Sequence, residues 1–219
     1  MKALQTAIIA MAIIFTSSCS KERLEGNGNI ITEVRNLSNF SGIINSGSKN
    51  INVAYGAEYK VELRGSSNLI PAYRTEILNG NLNPNYDNKA NVRDDDIEVY
   101  VTMPAIRSAK LTGSGDILIK GSFPARDYFE AIISGSGDIH FNGGFNVDEL
   151  KVTNSGSGMV ELLNVKSNRA EVFISASGNA KVNVTDQLKV RITGSGSTYY
   201  IGNPTIESDI SGSGKVVKH

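Results

Sequence analysis

Thr112-Gly113-Ser114-Gly115-Asp116-Ile117 decides how this chain is read, because versions of it return five times toward the C-terminus. Gly135-Ser136-Gly137, Gly156-Ser157-Gly158, Ala176-Ser177-Gly178, Gly194-Ser195-Gly196 and Gly212-Ser213-Gly214 follow at steps of 22, 21, 20, 18 and 18 residues. A period near 20 is the size of one supersecondary unit. Counting back from each copy, every second residue is apolar. Leu111, Ile133, Ile174, Ile192 and Ile210 make the nearest column, with Asn154 the exception; Ala109, Ala131, Val152, Val172, Val190 and Ser208 follow, then Arg107, Phe129, Leu150, Ala170, Leu188 and Ile206. Counting forward gives Ile117, Ile139, Val160, Ala180, Thr198 and Val216, then Ile119, Phe141, Leu162, Val182, Tyr200 and Lys218.

Alternation at period two means strands with one face buried and one wet. Each repeat therefore holds two strands joined at a glycine-serine corner. Stacking the copies in register buries every apolar column as a ladder, so the expected fold is all-β: a β-solenoid, resembling a right-handed parallel β-helix, with repeats of roughly 20 residues. Six copies stacked at ~4.8 Å span about 24 Å. The repeat core runs from 105 to 218. Ser46-Gly47-Ser48-Lys49-Asn50-Ile51 reads as a degenerate first copy, in which Asn45 stands where Asn154 stands later. An unpaired buried amide costs about 1–3 kcal/mol, so Asn154 is expected to bond to a neighbouring layer.

The corner glycines expected to carry this architecture are Gly113, Gly115, Gly135, Gly137, Gly156, Gly158, Gly178, Gly194, Gly196, Gly212 and Gly214. Where the chain bends in every layer, backbones lie close and φ can be positive, and both favour glycine. The second glycine is present in every copy whereas Ala176 replaces a first one, which assigns positive φ to the second position.

The segment before the repeats is more irregular. Ile51-Asn52-Val53, Tyr59 to Leu63 and Ile97 to Val101 alternate as strands, and Asn79-Gly80 after Thr75-Glu76-Ile77-Leu78 marks a tight hairpin turn. Asn83 to Asp96, rich in asparagine and aspartate, reads as a long surface loop.

Residues 1–18 form a different object: Met1-Lys2, an apolar run from Ala3 to Phe15, then Thr16-Ser17-Ser18 before Cys19. A basic start, an apolar core and a small-residue cleavage region describe a secretory signal, too short for a stable span. Cys19 is the only cysteine of 219 residues and has no disulfide partner within the chain. The stretch resembles a bacterial lipobox, in which this thiol is lipidated and becomes the mature N-terminus. Residues 19–28 then read as the lipidated cysteine and a polar tether. Lys21-Glu22 resembles the charged signals that send some Bacteroidetes lipoproteins to the cell surface.

Lysine plus arginine and aspartate plus glutamate number 22 each, so the formal charge is zero and no basic cluster points to nucleic acid. The Gly-Ser-Gly-Asp text invites comparison with calcium-binding glycine-aspartate rolls, but only Asp116 and Asp138 occupy that position. They are the metal candidates, with solvated carboxylates as the default reading. The acidic run Asp94-Asp95-Asp96 is read the same way. No catalytic residue is assigned. His140 lies on an outward register, and a serine repeated six times suits a structural ladder better than one activated nucleophile. Glu130, Lys151, Glu171 and Lys189, placed in one column with Lys110 and Asp209, read as cross-layer ion pairs. Tyr128, Tyr199 and Tyr200 offer aromatic contacts to a glycan, or else core and edge cover.

The chain resembles the auto-transporter adhesin head GIN domain family of Bacteroidetes exported proteins. The matching text is Gly28-Asn29-Ile30-Ile31-Thr32-Glu33-Val34-Arg35, Phe40-Ser41-Gly42-Ile43, the Gly-Ser-Gly-Asp-Ile copies at 113 and 135, and Gly202-Asn203-Pro204 through Gly212-Ser213-Gly214. It covers residues 28–217, departs at Lys49, Met159, Ala176 and Ser197, and places the domain at 29–219. The resemblance implies a β-helix-like solenoid and, by its name, adhesion; it carries no active residues to transfer. The expected function is a non-enzymatic, lipid-anchored outer-membrane protein on the periplasmic or cell-surface face. Its expected partners are the membrane through the anchor, a glycan or protein surface ligand, and a second copy of itself; no cofactor is called for. A carbohydrate-active enzyme on a β-helix and a self-assembling envelope module are the alternatives.

Overall fold

The computed structural model describes residues 23–87 and 91–219. The signal segment, Cys19 and the Lys21-Glu22 pair lie outside the described residues.

Two parallel ladders run the length of the stack and meet at the glycine corners. The first consists of Gly42–Asn45, Ser108–Leu111, Arg126–Ile133, Phe145–Asn154, the later parts of Met159–Ile174 and Asn179–Ile192, and Thr205–Ile210. The second consists of Ile51–Tyr55, Ile117–Lys120, Ile139–Asn142, the early parts of the same two long strands, Thr198–Ile201 and Val216–Lys218. Register follows the sequence columns. Ile43, Ala109, Ala131, Val152, Val172, Val190 and Ser208 are successive Cα partners. Asn45, Leu111, Ile133, Asn154, Ile174, Ile192 and Ile210 form the row beside the corner. The degenerate copy at 46–51 is thus a full layer, which brings the stack to seven layers and about 29 Å.

Shortening of the repeat is absorbed opposite the corner. Lys120 and Arg126 are separated by a loop and Asn142 and Phe145 by two glycines, whereas Met159–Ile174 continues unbroken into the next layer. Register shifts between Leu162 and Lys166 and between Ser167 and Arg169 mark where residues drop out. The longer early coils enclose more space, and aromatic side chains fill it. Phe141 stacks on Phe145 at 5.3 Å, and Phe129 meets both edge-on at 5.9 and 5.5 Å.

The insertion at 56–107 folds over one end of the stack. Glu98–Met103 extends the second ladder in parallel, Lys60–Ser66 adds antiparallel, and Ile30–Arg35 closes that edge antiparallel again. Asn81-Leu82 continues the first ladder, and Tyr73–Leu78 returns against Asn81–Tyr86 as a hairpin. Its turn is the expected Asn79-Gly80, with φ of 50° and 75°. The Arg35 guanidinium ties the two halves of this cap together by donating to the Ile70 carbonyl at 2.9 Å and to Thr75 Oγ1 at 3.1 Å.

Four expectations are corrected. Asn83 to Tyr86 belong to a strand rather than to a long loop, and Asn91–Arg93 pairs in parallel with Arg23–Glu25, so part of the expected tether is bonded to the cap. Ile206 and Ile210, read as core, are each 40% exposed, because among the described residues Thr205–Ile210 is paired on one side only, with Gln187–Ile192. The corner glycines do not carry positive φ; among the described glycines that conformation occurs at Gly28, Gly80, Gly121 and Gly202.

Their actual constraint is steric. A Cβ on Gly113, Gly135, Gly156, Gly194 or Gly212 would collide with the carbonyl oxygen of the first corner residue one layer below; on Gly137 it would lie 2.5 Å from the Gly115 oxygen. Those same carbonyls of the first position accept the next layer's serine N–H: Ser114 to Gly47 at 3.1 Å, Ser136 to Gly113 at 3.1 Å, Ser157 to Gly135 at 3.2 Å. Above Gly156 the donor is instead Gly178 N, at 3.0 Å. Bonding at this one corner is different, and here Ala176 is accommodated.

Replacing Gly135 by alanine should therefore cost about 1–3 kcal/mol by overpacking. Ala176→Gly should cost under about 1 kcal/mol, the backbone-entropy term alone. Thermal unfolding of the two variants checks the order; equal losses would remove the stacking argument.

Candidate functional site

The residues that looked most like chemistry are used to join layers. Asn50 Oδ1 accepts the Asp116 N–H at 2.8 Å, Asp116 Oδ1 accepts that of Asp138 at 2.9 Å, and Asp138 Oδ1 accepts that of Met159 at 2.7 Å. The pattern resumes with Asn179 Oδ1 to Ser197 N at 2.8 Å and Ser197 Oγ to Lys215 N at 3.1 Å. What this column needs is a short side-chain oxygen, which aspartate, asparagine and serine all supply. Sequence reasoning missed the role by counting only the aspartates, Asp116 and Asp138, at this position. The usable signal was the acceptor chemistry they share with Asn179 and Ser197. Among the described residues, no three His, Cys, Asp or Glu side chains gather as a metal site.

Asn154 behaves as its burial requires. Its Nδ2 donates to the Gly158 carbonyl at 2.7 Å and, one layer on, to the Asn179 carbonyl at 3.2 Å, while Oδ1 accepts the Gly156 N–H at 3.1 Å. Asn45 repeats the arrangement with Lys49 O at 2.8 Å, Gly115 O at 3.0 Å and Gly47 N at 3.2 Å.

The acidic run anchors the cap. Lys49, which stands at the second glycine position of the first corner, reaches the backbone carbonyl of Asp95 and lies 3.5 Å from its carboxylate. Tyr86 donates its hydroxyl to Asp95 Oδ1 at 2.9 Å; burial and this bond push the phenol's pKa upward. Burial opposes ionisation of Asp96, but the Ser66 hydroxyl at 2.6 Å and N–H at 2.7 Å outweigh it and hold the carboxyl below its ordinary range.

On the outer face of the first ladder, charges alternate by layer through Glu130, Lys151, Glu171, Lys189 and Glu207. The cross-layer ion pairs expected among the first four are not formed; along this column only Lys189 and Glu207 come within 4 Å, at 3.8 Å. Contrary to the expectation from sequence, Lys110 and Asp209 do not belong to this column but stand two residues nearer the corner. Lys110 reaches across to Glu130 at 3.6 Å, and Asp209 faces Arg191 at 3.5 Å. Beside this column runs Tyr128, Glu149, Arg169 and Gln187, with Arg169 bonded to Glu149 at 2.8 Å. Between the two columns lies an open groove of about 270 Å³, floored by Leu150 and Ala170 and flanked at one end by Tyr128. Burial first, then the Glu130 carboxylate, push the Tyr128 phenol up to about 12. Tyr199 lies in an outward column between Lys181 and Val217, whereas Tyr200 packs against the core.

His140 is on the outer face of the second ladder. Its Nδ1 is 3.1 Å from Glu161 Oε2 and its Nε2 3.6 Å from Asp138 Oδ2; Lys181 Nζ donates to Glu161 Oε1 at 3.0 Å. The Lys181 bond, and after it that of His140, outweigh burial and hold the Glu161 carboxyl below its ordinary value of 4.5. These contacts span three successive layers and present no nucleophile to the imidazole.

A carboxyl with a depressed pKa contributes stability that is complete above its ordinary value and is lost as pH falls through the folded one. Unfolding measured between pH 7 and 2 should show the native chain losing this increment below about pH 4.5. Glu161→Gln should be less stable at neutral pH and converge with the native chain in acid. Parallel curves would show that Glu161 contributes nothing through ionisation.

Comparison with known proteins agrees with the stacked fold. Residues 39–204 match the family described as "Putative auto-transporter adhesin, head GIN domain". A crystal structure from Bacteroides fragilis titled a "putative adhesin" superposes with a TM-score of 0.70 at 19% identity, covering 90% of this chain and 100% of that one. A "putative lipid binding protein" from Parabacteroides distasonis gives 0.63 at 22% identity, again over 90% and 100%. A third, a "putative adhesin" from Parabacteroides merdae, gives 0.56 at 17%, over 90% and 99%. No curated protein matches the sequence. At these identities the structures speak to fold alone, but the family match spans most of the chain: the protein belongs to the auto-transporter adhesin head GIN domain family.

Proposed function

We propose that this chain is a non-enzymatic interaction module of the cell envelope, exported and held at the outer membrane by a lipid on Cys19, with its solenoid presenting an adhesive surface. The observation that carries the reading is where the chain enters the stack. Arg23–Glu25 pairs with Asn91–Arg93 of the cap, and Gly26 N donates to the Arg93 carbonyl at 3.2 Å. An anchor only a few residues before Arg23 keeps the capped end near the membrane. The remaining layers then project outward over about 29 Å. Triacylation would exceed the two acyl signals that stable attachment needs. Outward charges alternate in sign along the stack rather than converging in a cleft, which suits recognition better than the hydrolysis or elimination of the carbohydrate-enzyme alternative. The groove beside Tyr128, with an aromatic edge and paired polar groups, has the composition of a glycan or peptide contact.

Metabolic labelling with a fatty-acid probe should mark the full chain and not Cys19→Ala; a labelled variant would refute the anchor. Residues 20–219, screened on a glycan array and by pull-down from envelope extracts, should bind one ligand class saturably. Tyr128→Ala should weaken that binding roughly ten-fold, in the range of an aromatic contact at an interface. Unchanged binding would move the contact away from this groove.

A further inference from the structure

The two ends of the stack are finished differently. Antiparallel strands cover the end that carries the cap, whereas Thr205–Ile210 is bonded on one side to Gln187–Ile192 and has all six residues exposed. Ser211 N donates to the Ile192 carbonyl at 2.9 Å, back toward the previous layer. Strand alternation then turns the N–H and C=O groups of Ile206, Ser208 and Ile210 to the open side. An exposed row of this kind is a template for another strand unless it is blunted, and no bulge or proline interrupts it.

The columns specify what fits there. Leu188 lies under Ile206 and Ile192 under Ile210, so the next layer in those columns is apolar. Lys189 lies under Glu207 and Arg191 under Asp209, and the two acidic side chains remain 66% and 73% exposed despite contacts of 3.8 and 3.5 Å. In the column ending at Glu207 the sign alternates at every layer from Glu130 onward, so the next charge is positive. A second copy meets this edge badly. Antiparallel pairing that sets Ile206 against Ile210 also sets Glu207 against Asp209 twice, and opposed like charges destabilise a sheet.

We infer that Thr205–Ile210 receives, as an added strand, an extended polypeptide segment of a partner protein in which apolar and basic residues alternate. Main-chain bonds to Ile206, Ser208 and Ile210 supply affinity, and Glu207 with Asp209 selects the basic residues. Residues 187–192, Gln-Leu-Lys-Val-Arg-Ile, have this pattern and already pair with the same strand from its other side. This edge deepens the reading of the chain as an interaction module and lies one strand beyond Gln187 and Lys189, which line the groove on the side away from Tyr128.

The test is an NMR titration of ¹⁵N-labelled residues 20–219 with a synthetic peptide carrying the 187–192 sequence, taken to millimolar concentration. Saturable shifts should centre on the amides of Ile206, Ser208 and Ile210. A peptide with both basic residues changed to glutamate should bind roughly ten-fold more weakly, as two unfavourable exposed charge pairs imply. The double variant Glu207→Lys, Asp209→Lys should reverse that preference. Ser208→Pro, which removes one open donor without touching the inner ladder, should abolish the shifts while the melting temperature stays within a few degrees. Equal binding of both peptides, shifts elsewhere, or binding that survives Ser208→Pro would overturn the inference. So would concentration-dependent dimerisation through this edge without peptide binding. Failure here with retained capture in the glycan and pull-down screen would sink the edge and leave the broader reading intact.

Discussion

The structure depends on how closely one layer can lie upon the next at the corner. There the chain turns between two ladders, and the carbonyl of the first corner residue points along the stack at the serine N–H of the following layer. That bond leaves no room for a Cβ over the same oxygen, so glycine is retained for want of space. Only with this approach maintained can both ladders stay in register, and only in register do the apolar columns bury. Burial of a fully covered Leu, Ile or Phe is worth about 1.5–3 kcal/mol, so the columns supply the energy and the corner supplies the geometry.

Polar residues near the corner extend the same logic. Asn45 and Asn154 enter the row otherwise filled by leucine and isoleucine, and each bonds within its own corner and to the layer above. The neighbouring column caps backbone N–H groups with the oxygens of Asn50, Asp116, Asp138, Asn179 and Ser197. At the capped end, Lys49 replaces a glycine because the layer beyond it is not another corner. It meets Asp95 of the insertion instead. A solenoid otherwise indifferent to its length is thus stopped at one end by a specific ion pair and a turned hairpin.

Function follows from what this arrangement leaves outside. Because alternation sends every other side chain to solvent, the outer faces are regular lattices of charge with shallow grooves between columns. Under the adhesive reading proposed above, such faces offer an extended or repetitive ligand a series of similar contacts. The two ends break the regularity, and the uncovered one exposes main-chain groups that the lattice itself cannot satisfy.

The sequence by itself determined the solenoid, the position of each layer and the residues in each apolar column, because period-two alternation and a repeated corner are local signals. It also determined the place of the degenerate copy and of the Asn79-Gly80 turn, whose φ values only a few residue types adopt. It anticipated that backbones lie close at the corner but wrongly assigned positive φ to the second glycine, since the collision that excludes a Cβ involves a carbonyl one layer away and leaves no trace in either residue alone. It could not show that Asp116 and Asp138 are occupied with backbone amides, that Lys110 and Asp209 lie off the charge column, or that Ile206 and Ile210 stay uncovered. Each of those facts depends on which atoms the adjacent layer brings within 3 or 4 Å. Only the tertiary structure sets that neighbourhood.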